Sequence, residues 1–246
     1  MPRLAVYDTE AALGIITSRV ARGDDQPPYR ADPERALIRE ADDAPERASI
    51  YLYDVIDEYW GASALDMVAA LDAADGRDVD LYVNSPGGDV WEAEAMRINL
   101  ARYEGEITAH IDGIAASAAT TVTLGADRVI VDPASQYMIH RTWGVGMGSA
   151  DEMRAFAERL DEADELCARQ FAERTGREAS DIMDLMRAET WYRGREIVEA
   201  GFADDVSGEE EEEGDSTRAA MRSERAAALR SAQIIAARIR ARRSVA

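Results

Sequence analysis

The chain has 246 residues, of which 46% are hydrophobic, and this supports one sizeable hydrophobic core with flanking tails. Its 49 acidic and 28 basic residues give a net charge of −21, which disfavours binding to nucleic acid or to an anionic membrane surface. All the basic residues are arginine, so Schiff-base enzymes, Walker-type phosphate loops and Ser-Lys peptidases are excluded.

Residues 1–47 are predicted to form a charged N-terminal extension that is partly flexible. Within it, residues 22–47 contain 13 charged residues and four of the seven prolines without apolar periodicity, which indicates a linker. Asp8 and Glu10 interrupt the region where a secretory signal needs an unbroken apolar stretch. We therefore expect a cytoplasmic protein.

From residue 48 to residue 206 the pattern becomes regular, with strands and helices in alternation. Strands are predicted at residues 48–56, 78–84, 106–113, 128–132 and 136–140, and helices at residues 62–74 and 90–102 and directly after Ser117. Alternation of this kind predicts parallel strands and an α/β layered fold built from repeated βαβ units. In the first helix we expect Leu65, Val68 and Leu71 to share the buried face.

The second half of this region is predicted to be mainly helical. Ser149-Ala-Asp-Glu152 is a capping-box sequence that opens a long helix ended by Gly176. Apolar residues recur along that helix at Met153, Phe156, Leu160, Cys167 and Phe171. A shorter helix follows to about residue 188, then a strand or loop, then a helix closed by Gly201.

Residues 207–246 are predicted to form a charge-segregated tail. Five consecutive glutamates, residues 209–213, precede a segment from residue 218 to residue 246 with eight arginines and one glutamate. The tail is either a solvated arm neutralised by the glutamates, or a docking peptide for an acidic scaffold or an assembly element removed by self-cleavage. The longest uncharged stretch, residues 113–126, has 14 residues, fewer than the about 20 that a membrane-spanning helix needs.

Two histidines could act as a general base near neutral pH. His110 lies inside a predicted strand, where a structural role is the simpler interpretation. His140 ends an apolar strand, which is where open α/β sheets assemble their sites. One cysteine with two histidines disfavours a structural zinc site, and we expect neither a metal nor a cofactor.

Two further segments are candidates for a site. Ser117, in GIAASAAT, follows a strand that we expect Gly113 to close. It either caps a buried helix or acts as a nucleophile beside helical N–H groups that stabilise an oxyanion. The segment NSPGGDV, residues 84–90, lies between a strand and a helix, where Gly87 and Gly88 allow close backbone approach.

Three segments resemble the Clp protease proteolytic subunit family of serine peptidases in their order, spacing and residue identities: NSPGGDV, GIAAS and MIH. The resemblance extends from about residue 48 to residue 206 and includes ERTGRE and EAGFADDV. It implies a Clp protease/crotonase-like layered fold and a homo-oligomeric ring. The long helix after Ser149 would be the protruding handle through which rings pair into a closed chamber.

The resemblance also implies roles for individual residues. Ser117 would be the nucleophile, His140 the general base, and the N–H groups of Gly87 and Ala118 the oxyanion hole. Where the family usually has the aspartate that orients the histidine, this sequence aligns Glu189. If Glu189 does not serve, the alternatives are two neighbouring carboxylates, Asp181 and Asp184.

The chain is similar to the Clp-related head maturation proteases of tailed viruses and prophages in three features. These are the N-terminal extension, the tail with its acidic and basic segments, and the sequences GGDVWEAEAM and ETWYR. We therefore expect an ATP-independent serine endopeptidase that cleaves scaffold or capsid protein in the host cytoplasm or the procapsid, without a cofactor, nucleic acid or membrane. Three alternatives stay open: a housekeeping Clp chamber protease working with an unfoldase, a crotonase-like acyl-CoA enzyme, and a catalytically silent shell or scaffold component.

Overall fold

The computed structural model describes residues 38–40, 47–59 and 61–208, which form an eight-stranded sheet and six helices. The strands are β1 (Ile38–Glu40), β2 (Arg47–Leu52), β3 (Asp78–Ser85), β4 (Ile107–Ala116), β5 (Arg128–Val131), β6 (Gln136–Ile139), β7 (Thr190–Arg193) and β8 (Asp205–Val206). The helices are α1 (Ala64–Ala74), α2 (Val90–Arg102), α3 (Ala118–Thr123), α4 (Ala150–Thr175), α5 (Ala179–Arg187) and α6 (Arg195–Glu199). None of these helices is long and apolar enough to cross a membrane.

The main sheet has the strand order β1-β2-β3-β4-β5-β8. Strands β2 to β5 and β8 are parallel, as the βαβ pattern predicts. The exception is β1, which pairs with β2 in antiparallel fashion and places Ile38 opposite Ile50. The linker prediction is therefore wrong at residues 38–40, whose backbone pairs with β2 as an edge strand of the sheet. The rest of the N-terminal extension, apart from Arg47, and nearly all of the C-terminal tail lie outside the described residues.

Strand β4 changes partners partway along its length. Residues 108–111 pair with β5, whereas residues 114–116 pair with β6, which in turn pairs with β7 in antiparallel fashion. The second half of β4 therefore belongs to a small three-stranded extension of the sheet. Both β4 and β6 end at the edge of this extension, and the candidate site lies there.

Gly113 lies inside β4 and does not close it, so the predicted end of this strand is wrong. The Asn84 side chain inserts beside Gly113, where its Oδ1 atom accepts a hydrogen bond from the Ile114 N–H at 3.2 Å. A Cβ atom on residue 113 would lie 2.6 Å from that Oδ1 atom. Glycine therefore permits a side chain of β3 to replace part of the β3–β4 hydrogen-bond ladder, whose register shifts at this point.

The buried face of helix α1 matches the predicted one only at Leu71, which is 5% exposed. Leu65 is 76% exposed, and the residues facing the core are Met67, Ala70, Leu71 and Ala74. A capping box between Ser63 and Asp66 starts the helix and thereby sets its rotation. Met67, Ala70 and Ala74 form, with Leu71, a buried stripe at positions i, i+3, i+4 and i+7. The predicted set of Leu65, Val68 and Leu71 did not indicate this stripe.

Helix α4 begins and ends as predicted. Both hydrogen bonds of the capping box between Ser149 and Glu152 are present, and Gly176 ends the helix in a left-handed conformation with φ of 74°. Only the second half of α4 contributes to the core, through Cys167 and Phe171. The first half of α4 is mostly exposed, and its role as the handle stays a prediction.

Candidate active site

Ser117 lies at the junction between β4 and α3, with φ of 54° and ψ of −127°. Residues other than glycine rarely adopt this conformation, and it costs on the order of 1–3 kcal/mol. Its N–H donates to the Met138 carbonyl at 2.9 Å, and its carbonyl accepts from the Thr120 N–H at 2.9 Å. The serine side chain makes no capping hydrogen bond to α3, so the capping interpretation does not account for its position.

His140 faces Ser117 across the edge of the sheet. Its Nε2 atom lies 2.7 Å from the Ser117 Oγ atom. The contact follows from the parallel pairing of β4 with β6, in which Ala116 is in register with Met138. Ser117 and His140 extend beyond the same end of two neighbouring strands, and their distance suits proton transfer between a hydroxyl and an imidazole.

Burial lowers the pKa of His140 below its ordinary value of 6.5. The negative charges of Glu189 and Asp164 oppose this effect but do not cancel it. The imidazole is therefore neutral at pH 7, which is the form that accepts a proton.

The turn that contains Gly87 packs against Ser117 and Ala118. Gly87 has φ of +91°, and a Cβ atom there would lie 2.5 Å from the Ala116 carbonyl oxygen and 2.8 Å from the Ala118 nitrogen. Only glycine fits this position without a shift of the backbone. The two residues whose N–H groups are predicted to form an oxyanion hole are thus neighbours.

The Gly87 N–H has a hydrogen-bond partner in this structure. It donates to the Oγ atom of Ser85 at 3.2 Å, and that hydroxyl donates to the Asp54 carbonyl at 2.7 Å. The Gly87 carbonyl accepts from the Ile56 N–H at 2.8 Å. These contacts fix the peptide groups of the turn before any substrate binds.

Glu189 directly precedes β7 in a left-handed conformation with φ of 48°. Its carboxylate is exposed and accepts a hydrogen bond from the Trp191 indole N–H at 3.2 Å. In the part of the chain that the structure describes, no hydrogen bond joins Glu189 to His140. Its orienting role stays a prediction, supported by the effect of its charge on the pKa of His140.

The two alternative carboxylates lie on α5. Asp181 is exposed, and Asp184, also exposed, forms an ion pair with Arg187 at 2.8 Å. The pKa of His140 responds to Glu189 but not to either of these aspartates. Glu189 is therefore the better candidate of the three.

His110 has the structural environment that its strand position indicates. Its Nε2 atom lies 3.1 Å from Asp80 Oδ1, and its ring stacks on Tyr82 at 5.0 Å. Ser117 lies seven residues after His110 along the chain, which corresponds to roughly 23 Å at the usual rise per residue of a strand. His110 is therefore too far from Ser117 to act as its base. Cys167 is buried, which raises the pKa of its thiol to about 11, so it is not a competing nucleophile.

Asp164 is a part of this region that the sequence analysis missed. Its side chain, on α4, is only 1% exposed and accepts hydrogen bonds from Arg141 Nε at 2.5 Å and from the Thr142 N–H at 2.6 Å. Both donors directly follow His140. A possible signal was an aspartate four residues after Leu160 and three before Cys167, on an otherwise apolar helix face.

Comparisons with known proteins show which family the chain belongs to. The family model described as Clp protease matches residues 37–210. ATP-dependent Clp protease proteolytic subunits from Chlorella vulgaris and Streptococcus sanguinis (strain SK36) are 27% and 28% identical over 161 and 163 residues. Each alignment covers 64% of this chain, with 80% of the Chlorella protein and 83% of the Streptococcus protein.

A solved structure has the same fold. A ClpP1 mutant from Listeria monocytogenes superimposes with a TM-score of 0.58 at 21% sequence identity. The match covers 68% of this chain and 93% of the Listeria chain.

Proposed function

The chain belongs to the Clp protease family and is a serine-type peptidase, and from this premise we propose that it is an endopeptidase whose nucleophile is Ser117 and whose general base is His140. The observation that carries the proposal is the 2.7 Å contact between Ser117 Oγ and His140 Nε2. The proposed peptidase domain is residues 48–206, between the charged extension and the tail.

The proposed reaction begins when Ser117 Oγ bonds to the scissile carbonyl carbon and its proton passes to His140 Nε2. The carbonyl oxygen becomes an oxyanion, which the N–H groups of Gly87 and Ala118 stabilise. His140 then gives the proton to the leaving amine as the peptide C–N bond breaks. Water attacks the remaining acyl ester by the same steps, and the carboxylate of Glu189 stabilises the imidazolium in both halves.

Gly87 would exchange one hydrogen-bond acceptor for another during this reaction. Its N–H donates to Ser85 Oγ in the structure, and the oxyanion is a stronger, charged acceptor. Because the Ser85 hydroxyl also donates to Asp54, it keeps one hydrogen bond when Gly87 is recruited. The rearrangement therefore needs little movement of the turn.

For the biological role we propose head maturation in a virus or prophage, with a homo-oligomeric ring that cleaves capsid or scaffold protein. This role is supported by the charged N-terminal extension, by the tail with its acidic and basic segments, and by the sequences GGDVWEAEAM and ETWYR. A second candidate is a housekeeping chamber protease that works with an unfoldase. The names of the similar proteins, which describe ATP-dependent proteolytic subunits, favour the second candidate.

Labelling with a fluorophosphonate tests the enzymatic proposal. We expect one adduct per chain, located on Ser117 by peptide mass mapping and absent from the Ser117→Ala variant. Labelling of another serine would contradict the assignment, and no labelling of the assembled protein would favour a silent shell component. Cleavage of a scaffold or capsid protein without ATP or an unfoldase separates the two biological roles.

A further inference from the structure

The segment that follows His140 is held in part by a buried carboxylate, that of Asp164. Strand β6 ends at Ile139, so His140 is the first residue beyond the sheet ladder. Residues 142–149 have no regular secondary structure and include three glycines, which give the backbone little stiffness of its own. On this side of His140, the contacts of Asp164 are therefore a principal restraint.

Asp164 uses both of its oxygen atoms for this restraint. Oδ2 accepts from Arg141 Nε, and Oδ1 accepts from the Thr142 N–H. A third contact, from the Arg141 N–H to the Met186 carbonyl at 3.2 Å, anchors the same segment to α5. A carboxylate that is 1% exposed is costly to bury unless it is fully paired, so the two donors and the acid fix one another.

We propose that Asp164 is a positioning residue that keeps the His140 imidazole in line with the Ser117 hydroxyl by fixing Arg141 and Thr142. This inference depends on the proposed function of Ser117 and His140. Asp164 does not touch the reacting atoms, and it acts only through the backbone and side chain that directly follow the base.

The charge of Asp164 gives the proposal a second measurable consequence. Two carboxylates act on His140, Glu189 from the residue before β7 and Asp164 from α4, and both raise its pKa against the lowering effect of burial. Arg141 lies beside Asp164 and carries the opposite charge. Removing the negative charge of Asp164 should therefore lower the pKa of His140 further.

The test is Asp164→Asn, which keeps the size of the side chain but offers one oxygen and one NH2 group. The amide nitrogen must then face either Arg141 Nε or the Thr142 N–H, and a donor opposite a donor makes no hydrogen bond. We expect kcat for a peptide substrate to fall about 10- to 100-fold with little change in KM, because small misplacements of a catalytic group have effects of this size. The acid limb of the pH profile should move to lower pH.

Asp161→Asn is the matched control. Asp161 pairs with the same guanidinium, through Arg141 Nη2 at 2.5 Å, but it is 65% exposed and makes no hydrogen bond to Thr142 in the described part of the chain. Its replacement makes the same change of charge one turn away, and we expect kcat and the pH profile to stay near those of the wild type. Equal behaviour of the Asp164 and Asp161 variants would overturn the proposal.

Two further measurements complete the experiment. Asp164→Asn could lower the fraction of folded protein while kcat per fluorophosphonate-labelled site and the pH profile stay unchanged. In that case Asp164 is merely structural and the proposal is wrong. If Asp164→Asn does not fold, Arg141→Gln leaves the Thr142 contact in place, and wild-type kcat in that variant would overturn the proposal.

Titration of the His140 ring signal by NMR separates this proposal from the proposed function. The chain has two histidines, so His110→Gln assigns the signals. A wild-type protein without peptidase activity would contradict the proposed function. The NMR titration would still report whether Asp164→Asn, and not Asp161→Asn, lowers the His140 pKa, and an unchanged titration would overturn the positioning role.

Discussion

At Ser117 the backbone adopts an unfavourable conformation, and neighbouring groups supply the hydrogen bonds that maintain it. The Met138 carbonyl holds the serine N–H, and Thr120 holds the serine carbonyl through both its N–H and its hydroxyl, at 2.9 Å and 2.5 Å. The hydroxyl of Ser117 is thereby directed away from α3 and towards His140. A serine in an ordinary helix cap would direct its hydroxyl to the N–H groups of the first helical turn.

Replacement of either member of the Ser117–His140 pair should abolish peptide hydrolysis. We expect Ser117→Ala and His140→Ala each to lower kcat by about 10⁴-fold or more, because the nucleophile and its base act as a unit. Initial rates on a peptide substrate measure the loss, and circular dichroism and size-exclusion chromatography serve as controls for folding and assembly. More than a tenth of wild-type activity in Ser117→Ala would contradict the assignment.

The same pair predicts the dependence of activity on pH. Burial lowers the pKa of His140, so the neutral base persists to pH values below 6.5 and is lost only as pH falls through the lowered pKa. We expect kcat/KM to be constant around pH 7 to 8 and to decline in acid. A pH series of kcat/KM measures this limb, and a limb centred above pH 6.5 would contradict the lowered pKa of His140.

At the scale of secondary-structure elements, the site is the meeting point of two strand ends and one turn. β4 and β6 present Ser117 and His140, and the turn after β3 lies across Ser117. The Gly87 carbonyl bonds to Ile56 and its N–H bonds to Ser85, so the turn is attached to the segment after β2 and to its own strand. The spacing of the oxyanion donors is therefore a property of the sheet edge.

Substitution of Gly87 tests the importance of this close approach. In Gly87→Ala the new methyl group would lie 2.5 Å from the Ala116 carbonyl oxygen, so the turn must move away from Ala118. Loss of one oxyanion donor costs about 10²- to 10³-fold in kcat, and we expect a decrease of at least that size. Peptide hydrolysis and fluorophosphonate labelling measure it.

Gly76→Ala is the control for Gly87→Ala. Gly76 also has a positive φ, +78°, but a Cβ atom there would have no neighbour within 4 Å. Both substitutions carry the same kind of backbone strain, and only one of them disturbs the turn. Equal activity of the two variants would show that Gly87 is not required for its contact with Ala118.

The carboxylate of Glu189 gives the next prediction, at the junction between α5 and β7. We expect Glu189→Gln to lower kcat by about 10²- to 10⁴-fold with little change in stability, because the histidine loses the charge that stabilises its protonated form. Glu189→Asp should be less harmful. Kinetics of these variants should be compared with Asp181→Asn and Asp184→Asn, and full activity in Glu189→Gln with loss in either aspartate variant would reassign the acid.

Much of this arrangement was predictable from local sequence. Helix α2 has the predicted bounds, residues 90–102, because Asp89 caps its start, and Gly176 ends α4 as predicted. The exchange of partners along β4 was not predictable, since it depends on the Asn84 side chain meeting Gly113 across the sheet. Asp164 was also missed: its place between Leu160 and Cys167 on the apolar face of α4 indicates burial, but its partners Arg141 and Thr142 come from a distant loop that the local sequence does not place beside it.

At the scale of the whole molecule, the chain has more carboxylates than arginines can neutralise. Buried carboxylates in the described part do find partners, as Asp204 does with Arg174 at 2.6 Å. The surplus is carried by exposed faces such as that of α4, where Glu158 and Glu162 are both exposed one turn apart. Like charges at this spacing repel each other, which destabilises the folded chain at low ionic strength.

This surplus of charge predicts how stability responds to salt. The response separates two explanations of the acidic, lysine-free composition: a surface adapted to high salt, and a genome whose codons favour arginine. Ordinary repulsion is largely screened by about 1 M salt, where the Debye length is about 3 Å. If the surface is adapted to brine, the unfolding temperature should continue to rise with NaCl well above that concentration, because hydrated carboxylates then stabilise the fold beyond screening. Differential scanning calorimetry from 0.1 to about 3 M NaCl measures the trend.

The double variant Glu158→Gln, Glu162→Gln is the control, and it should reduce the slope of unfolding temperature against salt concentration. An unfolding temperature that does not change above about 1 M would leave a genome that favours arginine codons as the explanation.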